Sequence, residues 1–117
     1  MAFLLLPLCQ ISHAESTSPD EHQAEREAVV LLHGLGRSNL AMWLLAKRIE
    51  DAGYHVKRIG YSSLNVTPQE ILEEVTGQID SCCAHYQKPV HYVGHSLGGL
   101  LIRAYLQEKR PENIGRV

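Results

Sequence analysis

Neither sign of charge dominates this 117-residue chain: eleven Lys and Arg stand against thirteen Asp and Glu, a formal net charge of −2. That balance excludes the basic face that nucleic acid or an anionic membrane surface would require. No apolar run approaches the ~20 residues of a membrane-spanning helix, which argues against a stable membrane anchor. Cysteine is scarce, with three residues, and no His or Cys spacing suggests a metal site. With 44% hydrophobic and 21% charged residues, the chain is an ordinary globular mixture that supports one domain at most. Undivided α/β domains often run to about 200–250 residues.

The first fourteen residues read as a secretory signal. Phe3 to Leu8 is a short apolar stretch, and Ser12-His13-Ala14 places small residues where signal cleavage needs them. No Lys or Arg follows Met1. Residues 1–14 are thus expected to direct export and leave a mature chain starting at Glu15. Residues 15–27 form a polar leader without periodicity. Cys9 would depart with the signal. Cys82 and Cys83 are adjacent, and their Cα atoms are too close for relaxed disulfide geometry. They are expected to be two small apolar side chains on a helix.

From residue 28 the pattern changes. Ala28 to Leu32 is a continuous apolar run ended by His33-Gly34-Leu35-Gly36, as suits a central strand of a parallel sheet. Ser38 or Asn39 can cap a helix carrying Leu45, Ile49 and Ala52 on its inner face, with Gly53 as its stop. Tyr54 to Ile59 alternates and is more polar, which predicts a strand towards the sheet edge. Thr67-Pro68-Gln69-Glu70 is a capping box with proline at the first helical position. It opens a helix whose stripe holds Ile71, Leu72, Val75, Ile79, Cys82, Cys83 and Tyr86. Val90 to Val93 is a third strand, and Leu97, Leu100, Leu101, Ala104 and Tyr105 recur behind it at helical spacing. Strand, helix, strand, helix, strand, helix predicts an α/β fold: a mostly parallel sheet with flanking helices and right-handed crossovers.

Gly94-His95-Ser96-Leu97-Gly98-Gly99 lies between an apolar strand and an amphipathic helix. In that setting G-x-S-x-G is the turn that exposes a nucleophilic serine at a strand end. Gly94 and Gly98 would remove Cβ atoms that collide as the chain reverses. Gly99 would let the helix pack closely. Ser96 is the expected nucleophile, and the Leu97 amide points towards a developing oxyanion. The second amide is expected at Leu35, in the turn after the first strand, with His33 and Gly34 ordering that turn. The competing view is a glycine-rich turn whose serine only caps the helix. His91 and His95 are four apart, but a strand and a sharp turn do not hold that spacing on one helical face, so no metal site is expected. His22, His55 and His85 read as surface residues.

HGLG, GHSLGG and the following Arg103-Ala104-Tyr105-Leu106 together resemble the N-terminal half of α/β-hydrolases of the bacterial lipase/esterase type, over residues 28–117. The resemblance implies a serine hydrolase acting on a small-molecule or lipid carboxylic ester through an acyl-enzyme on Ser96, without a cofactor. A thioesterase, acyltransferase or amidase on the same scaffold is the alternative, as is an inactive remnant. In this fold the acid and the histidine follow the serine, yet residues 97–117 contain neither aspartate nor histidine. Glu108 and Glu112 are not expected at a strand end. The chain is accordingly expected to be a fragment, with Ile114 to Val117 approaching a further strand.

Overall fold

The computed structural model describes residues 26–35 and 39–117. The expected signal segment, most of the polar leader, Cys9, His22, Gly36 and the capping Ser38 lie outside them. Three strands and three helices alternate: β1 (Ala28–Leu32), α1 (Asn39–Asp51), β2 (His55–Ile59), α2 (Pro68–Cys83), β3 (Val90–Gly94) and α3 (Leu97–Lys109). The sheet order is β2-β1-β3, with both pairings parallel and Leu32 in register with Ile59 on one side and Gly94 on the other. All five residues of β1 are buried, whereas β2 at the edge buries only Ile59 fully. Apolar on both faces, β1 takes the one place in the sheet where both faces are covered.

Alternation along β1 divides the core. Ala28, Val30 and Leu32 join Ile59, Val90 and Tyr92 against Ile71, Val75 and Ile79 of α2 and Leu101, Ile102 and Tyr105 of α3. Val29 and Leu31 face the opposite way, onto Met42 and Ala46 of α1, with Ile49, Tyr54 and Val56 beside them. One helix thus covers one face and two cover the other. This is the α/β arrangement expected of part of an α/β-hydrolase fold.

Local chemistry accounts for the boundaries. Thr67 Oγ1 accepts from the Glu70 amide at 3.2 Å, while Glu70 Oε2 accepts from the Thr67 amide at 2.7 Å. Gly53 closes α1 at φ +102°, a conformation that costs glycine little. Residues 113–116 continue the sheet beyond β3. The Val90 amide donates to Asn113 O at 2.8 Å, the Gly115 amide to Val90 O at 2.8 Å, and the Tyr92 amide to Arg116 O at 2.9 Å. The outer edge of β3 is therefore occupied, as the reading of Ile114 to Val117 as the approach to a strand anticipated.

Three expectations need correction. The inner face of α1 is Met42, Ala46 and Ile49, at i, i+4 and i+7, while Leu45 and Ala52 are exposed; the stripe is rotated by part of a turn because Met42 seats on Leu31. On α3, Ile102 is buried and Leu100 is 62% exposed, because the helix shows its Leu101–Ile102–Tyr105 side to the sheet. Cys82 and Cys83 are joined as a vicinal disulfide, their Cα atoms 3.8 Å apart. Cα separation alone misjudged this pair. Both side chains leave the last turn of α2 towards the core, Cys83 buried and Cys82 packed against it, which brings the sulfurs together. No helix among the described residues is long and apolar enough to cross a membrane.

Candidate active site

Parallel strands send their C-terminal ends to one side of the sheet. Because β2 and β3 flank β1 on opposite sides, the chain leaves β1 towards one face of the sheet and β3 towards the other, and the two connections diverge to leave a crevice at those ends. Two segments far apart in sequence meet there. Leu32 and Gly94 are in register, so His33-Gly34-Leu35 emerges beside His95-Ser96. The His95 amide donates to Leu32 O at 3.1 Å and pins the second turn to the first strand.

Ser96 stands at φ 56°, ψ −120°, a strained conformation for a residue with a Cβ that costs on the order of 1–3 kcal/mol. The cost is sustained by what surrounds it. The Gly98 amide donates to His95 O at 3.0 Å and the Gly99 amide to Ser96 O at 2.9 Å, so the helix begins at once after the serine. The Ser96 hydroxyl makes no capping bond to α3, unlike the helix-capping serine that was the competing expectation. The side chain is exposed and borders a cavity of about 330 Å³ lined by Tyr92, Gly94, Ser96, Gly99, Leu100 and Arg103 among others.

The glycines explain how the two turns approach. A Cβ on Gly94 would lie 2.5 Å from the Gly99 nitrogen, and one on Gly98 would lie 2.5 Å from Leu32 O and 2.7 Å from His33 O. A Cβ on Gly34 would meet His95 Nδ1 and His95 O at 3.0 Å and the Ser96 Cβ at 3.2 Å. Gly94 and Gly98 are closed to larger residues, whereas at Gly34 the neighbours would have to give by a few tenths of an ångström. Gly99 is not closed, since its nearest neighbour would be Gly94 O at an ordinary 3.6 Å. Close packing of the helix end onto β1 is thus the work of Gly98, a correction to the role expected of Gly99.

His33 is the one buried polar residue among the described residues. Its Nδ1 lies 2.8 Å from Gly34 O, and because a carbonyl only accepts, Nδ1 carries the proton. Its ring stacks on Tyr61, with centroids 4.4 Å apart and planes 3° from parallel. The Tyr61 hydroxyl donates to His33 O at 2.6 Å. Burial pushes the Tyr61 phenol above its ordinary pKa, so it remains a donor. Sequence reading missed Tyr61, which belongs to no motif. It follows the end of β2 by two residues, and its place at the C-terminal end of a parallel strand was the available signal.

Leu35 is exposed and follows this turn, while Leu97 is the first residue of α3. The first amides of a helix have no partner within it. Of the remaining histidines, His91 is held by neighbours of its own. The Arg116 amide donates to His91 Nδ1 at 2.9 Å, the His91 ring meets the edge of Tyr54, and its Nε2 lies 3.7 Å from a Glu27 oxygen. His95 is exposed with its ring beside Gly34, His85 is exposed, and His55 is half-buried instead of fully exposed. The described residues contain no cluster of three or more His, Cys, Asp or Glu able to hold a metal ion.

No curated protein and no solved structure matches the chain. The palmitoyl protein thioesterase family does match, over residues 28–117, the stretch that holds all three strands, all three helices and both turns. An α/β sheet carrying these turns, matched along its whole length, places the chain in the palmitoyl protein thioesterase family, an α/β-hydrolase-type family of hydrolases.

Proposed function

We propose that residues 28–117 carry the nucleophile and oxyanion hole of a serine hydrolase that cleaves acyl thioesters or esters, with a long-chain acyl thioester as the substrate the family match favours. The observation that carries this reading is the strained, uncapped Ser96, held at a strand end against the His33-Gly34 turn. Ser96 Oγ attacks the acyl carbonyl carbon, and the carbonyl π electrons move onto oxygen. The Leu35 and Leu97 amides hold that oxyanion. Its collapse breaks the bond to sulfur (or to oxygen, in an ester), and the leaving group takes up the proton that the Ser96 hydroxyl gave up to the general base. Water then releases the fatty acid from the Ser96 ester.

The family match moves the weight from carboxylic esters, implied by the lipase-like motifs, towards thioesters. A thiolate is the better leaving group, so the demand falls on positioning and on oxyanion stabilisation. Attack also requires a base for the Ser96 proton. Residues 97–117 contain no histidine.

In the natural full-length polypeptide, a fluorophosphonate probe is expected to label Ser96, and palmitoyl-coenzyme A to be hydrolysed faster than a p-nitrophenyl ester or an amide of equal chain length. Ser96→Ala should abolish labelling and turnover together. Labelling that survives Ser96→Ala would refute the assignment, and faster cleavage of the oxygen ester would return the reading to a lipase-like enzyme.

A further inference from the structure

We propose that Tyr61 is a positioning residue for the oxyanion hole, setting the direction of the Leu35 amide through the ring of His33. The inference rests on the acyl-hydrolase reading above and extends it to a residue outside both motifs. Its basis is a sequence of contacts across consecutive peptide planes.

In a trans peptide the C=O of one residue and the N–H of the next share a plane and point in opposite directions. Gly34 O and the Leu35 N–H are such a pair. Holding Gly34 O therefore aims the Leu35 N–H, and the group that holds it is His33 Nδ1 at 2.8 Å. A histidine ring is free to turn about its side-chain bonds unless something fixes it. Here the Tyr61 ring lies flat against it, 4.4 Å away and 3° from parallel. The preceding peptide plane is fixed as well, because the Tyr61 hydroxyl donates to His33 O at 2.6 Å. One tyrosine from the end of β2 thus secures both planes that lead to the proposed oxyanion donor.

Packing alone does not account for this arrangement. Tyr61 belongs to the core cluster with Ile59, Ile71 and Val75, and a phenylalanine would fill the same space. The hydroxyl adds a bond to a backbone carbonyl 28 residues away in sequence, in the residue that directly follows β1. Gly34 is closely bounded on its other side, where the space its side chain would take meets His95 and Ser96 at 3.0–3.2 Å. A small rotation of the turn would therefore alter the distance between the Leu35 amide and the serine.

The test uses the natural full-length protein with Tyr61→Phe, which keeps the ring stack and loses the bond, and Tyr61→Leu, which loses both. With palmitoyl-coenzyme A, Tyr61→Phe is expected to lower kcat about tenfold with KM within about twofold of wild type, the size of one indirect hydrogen-bond loss in the transition state. Fluorophosphonate inactivation should slow in parallel. Tyr61→Leu should lower kcat further, to about a hundredth. A purely structural role would move the melting temperature and leave kcat of the folded fraction unchanged, and that result overturns the proposal. If neither leucine nor phenylalanine folds, 3-fluorotyrosine at position 61 keeps the shape and alters donor strength, and kcat identical to wild type then overturns it. Wild-type reactivity in the Tyr61 variants, alongside loss of labelling in Ser96→Ala, rejects this inference alone. Labelling that persists in Ser96→Ala rejects the acyl-hydrolase reading and this inference with it.

Discussion

Adding one methyl group at Gly98 should destabilise the protein, while adding the same group at Gly77 should stabilise it. Both glycines are helical, Gly98 in the first turn of α3 and Gly77 within α2. In an exposed helix interior, alanine is worth about 0.5–1 kcal/mol more than glycine, because the unfolded chain has less freedom to lose. Gly77 is exposed and a Cβ there would have nothing within 4 Å, so Gly77→Ala should gain about that amount. At Gly98 the Cβ would sit 2.5 Å from Leu32 O, about 1 Å inside ordinary carbon contact distance. Neither partner is a side chain that could swing away. The helix end must move off β1, and overpacking of this kind costs about 1–3 kcal/mol, more than the propensity gain returns. With about 4–8 °C of melting temperature per kcal/mol in a domain this small, thermal unfolding followed by circular dichroism should separate the variants clearly and in opposite directions. Because the displaced helix carries Ser96 and the Leu97 amide, fluorophosphonate labelling of folded Gly98→Ala should also slow. A Gly98→Ala protein that melts at or above wild type would refute the account of how α3 meets β1.

Two further outcomes follow from the same geometry. Ser96→Gly and Ser96→Ala both remove the hydroxyl, but only glycine tolerates φ 56° without strain, so Ser96→Gly should be the more stable by about 1–2 kcal/mol in urea titration; equal midpoints would mean that the turn is relaxed. At alkaline pH the buried phenols decide: desolvation raises Tyr61, Tyr92 and Tyr105, with the Tyr92 and Asp80 neighbours adding to the rise at Tyr105. Their folded-state pKa values exceed the unfolded value, so their contribution is intact below about pH 10 and is lost as pH rises through the folded values. Urea midpoints should fall above about pH 10, and Tyr105→Phe should make that fall shallower by up to one proton's worth, about 1.4 kcal/mol per pH unit; an unchanged slope would refute the assignment.

Much of the fold was legible because its signals are local. The five-residue apolar run of β1, the capping box at Thr67 and the Gly53 stop each act within a few residues, and each appears where expected. Helix faces were read less well. Met42 rather than Leu45, and Ile102 rather than Leu100, turn inward because the sheet surface selects the side of the helix, and both helices carry apolar residues outside the buried stripe as well as within it. The adjacent cysteines failed for a similar reason: separation along the chain does not tell where two side chains point.

The site divides in the same way. The residues of both turns, His33-Gly34-Leu35 and Gly94 to Gly99, were named from sequence, because small residues at a strand end leave a composition that can be recognised without coordinates. Tertiary structure decided what those turns do to each other. That His95 bonds Leu32 O, that Gly98 rather than Gly99 bears the close approach, and that Tyr61 grips His33 all depend on the order β2-β1-β3. Sequence alone determined which residues could form a strained, glycine-walled turn around Ser96, since backbone sterics act locally. Only the parallel sheet decided which partners stand beside it, because it carries the ends of three separate strands to one edge.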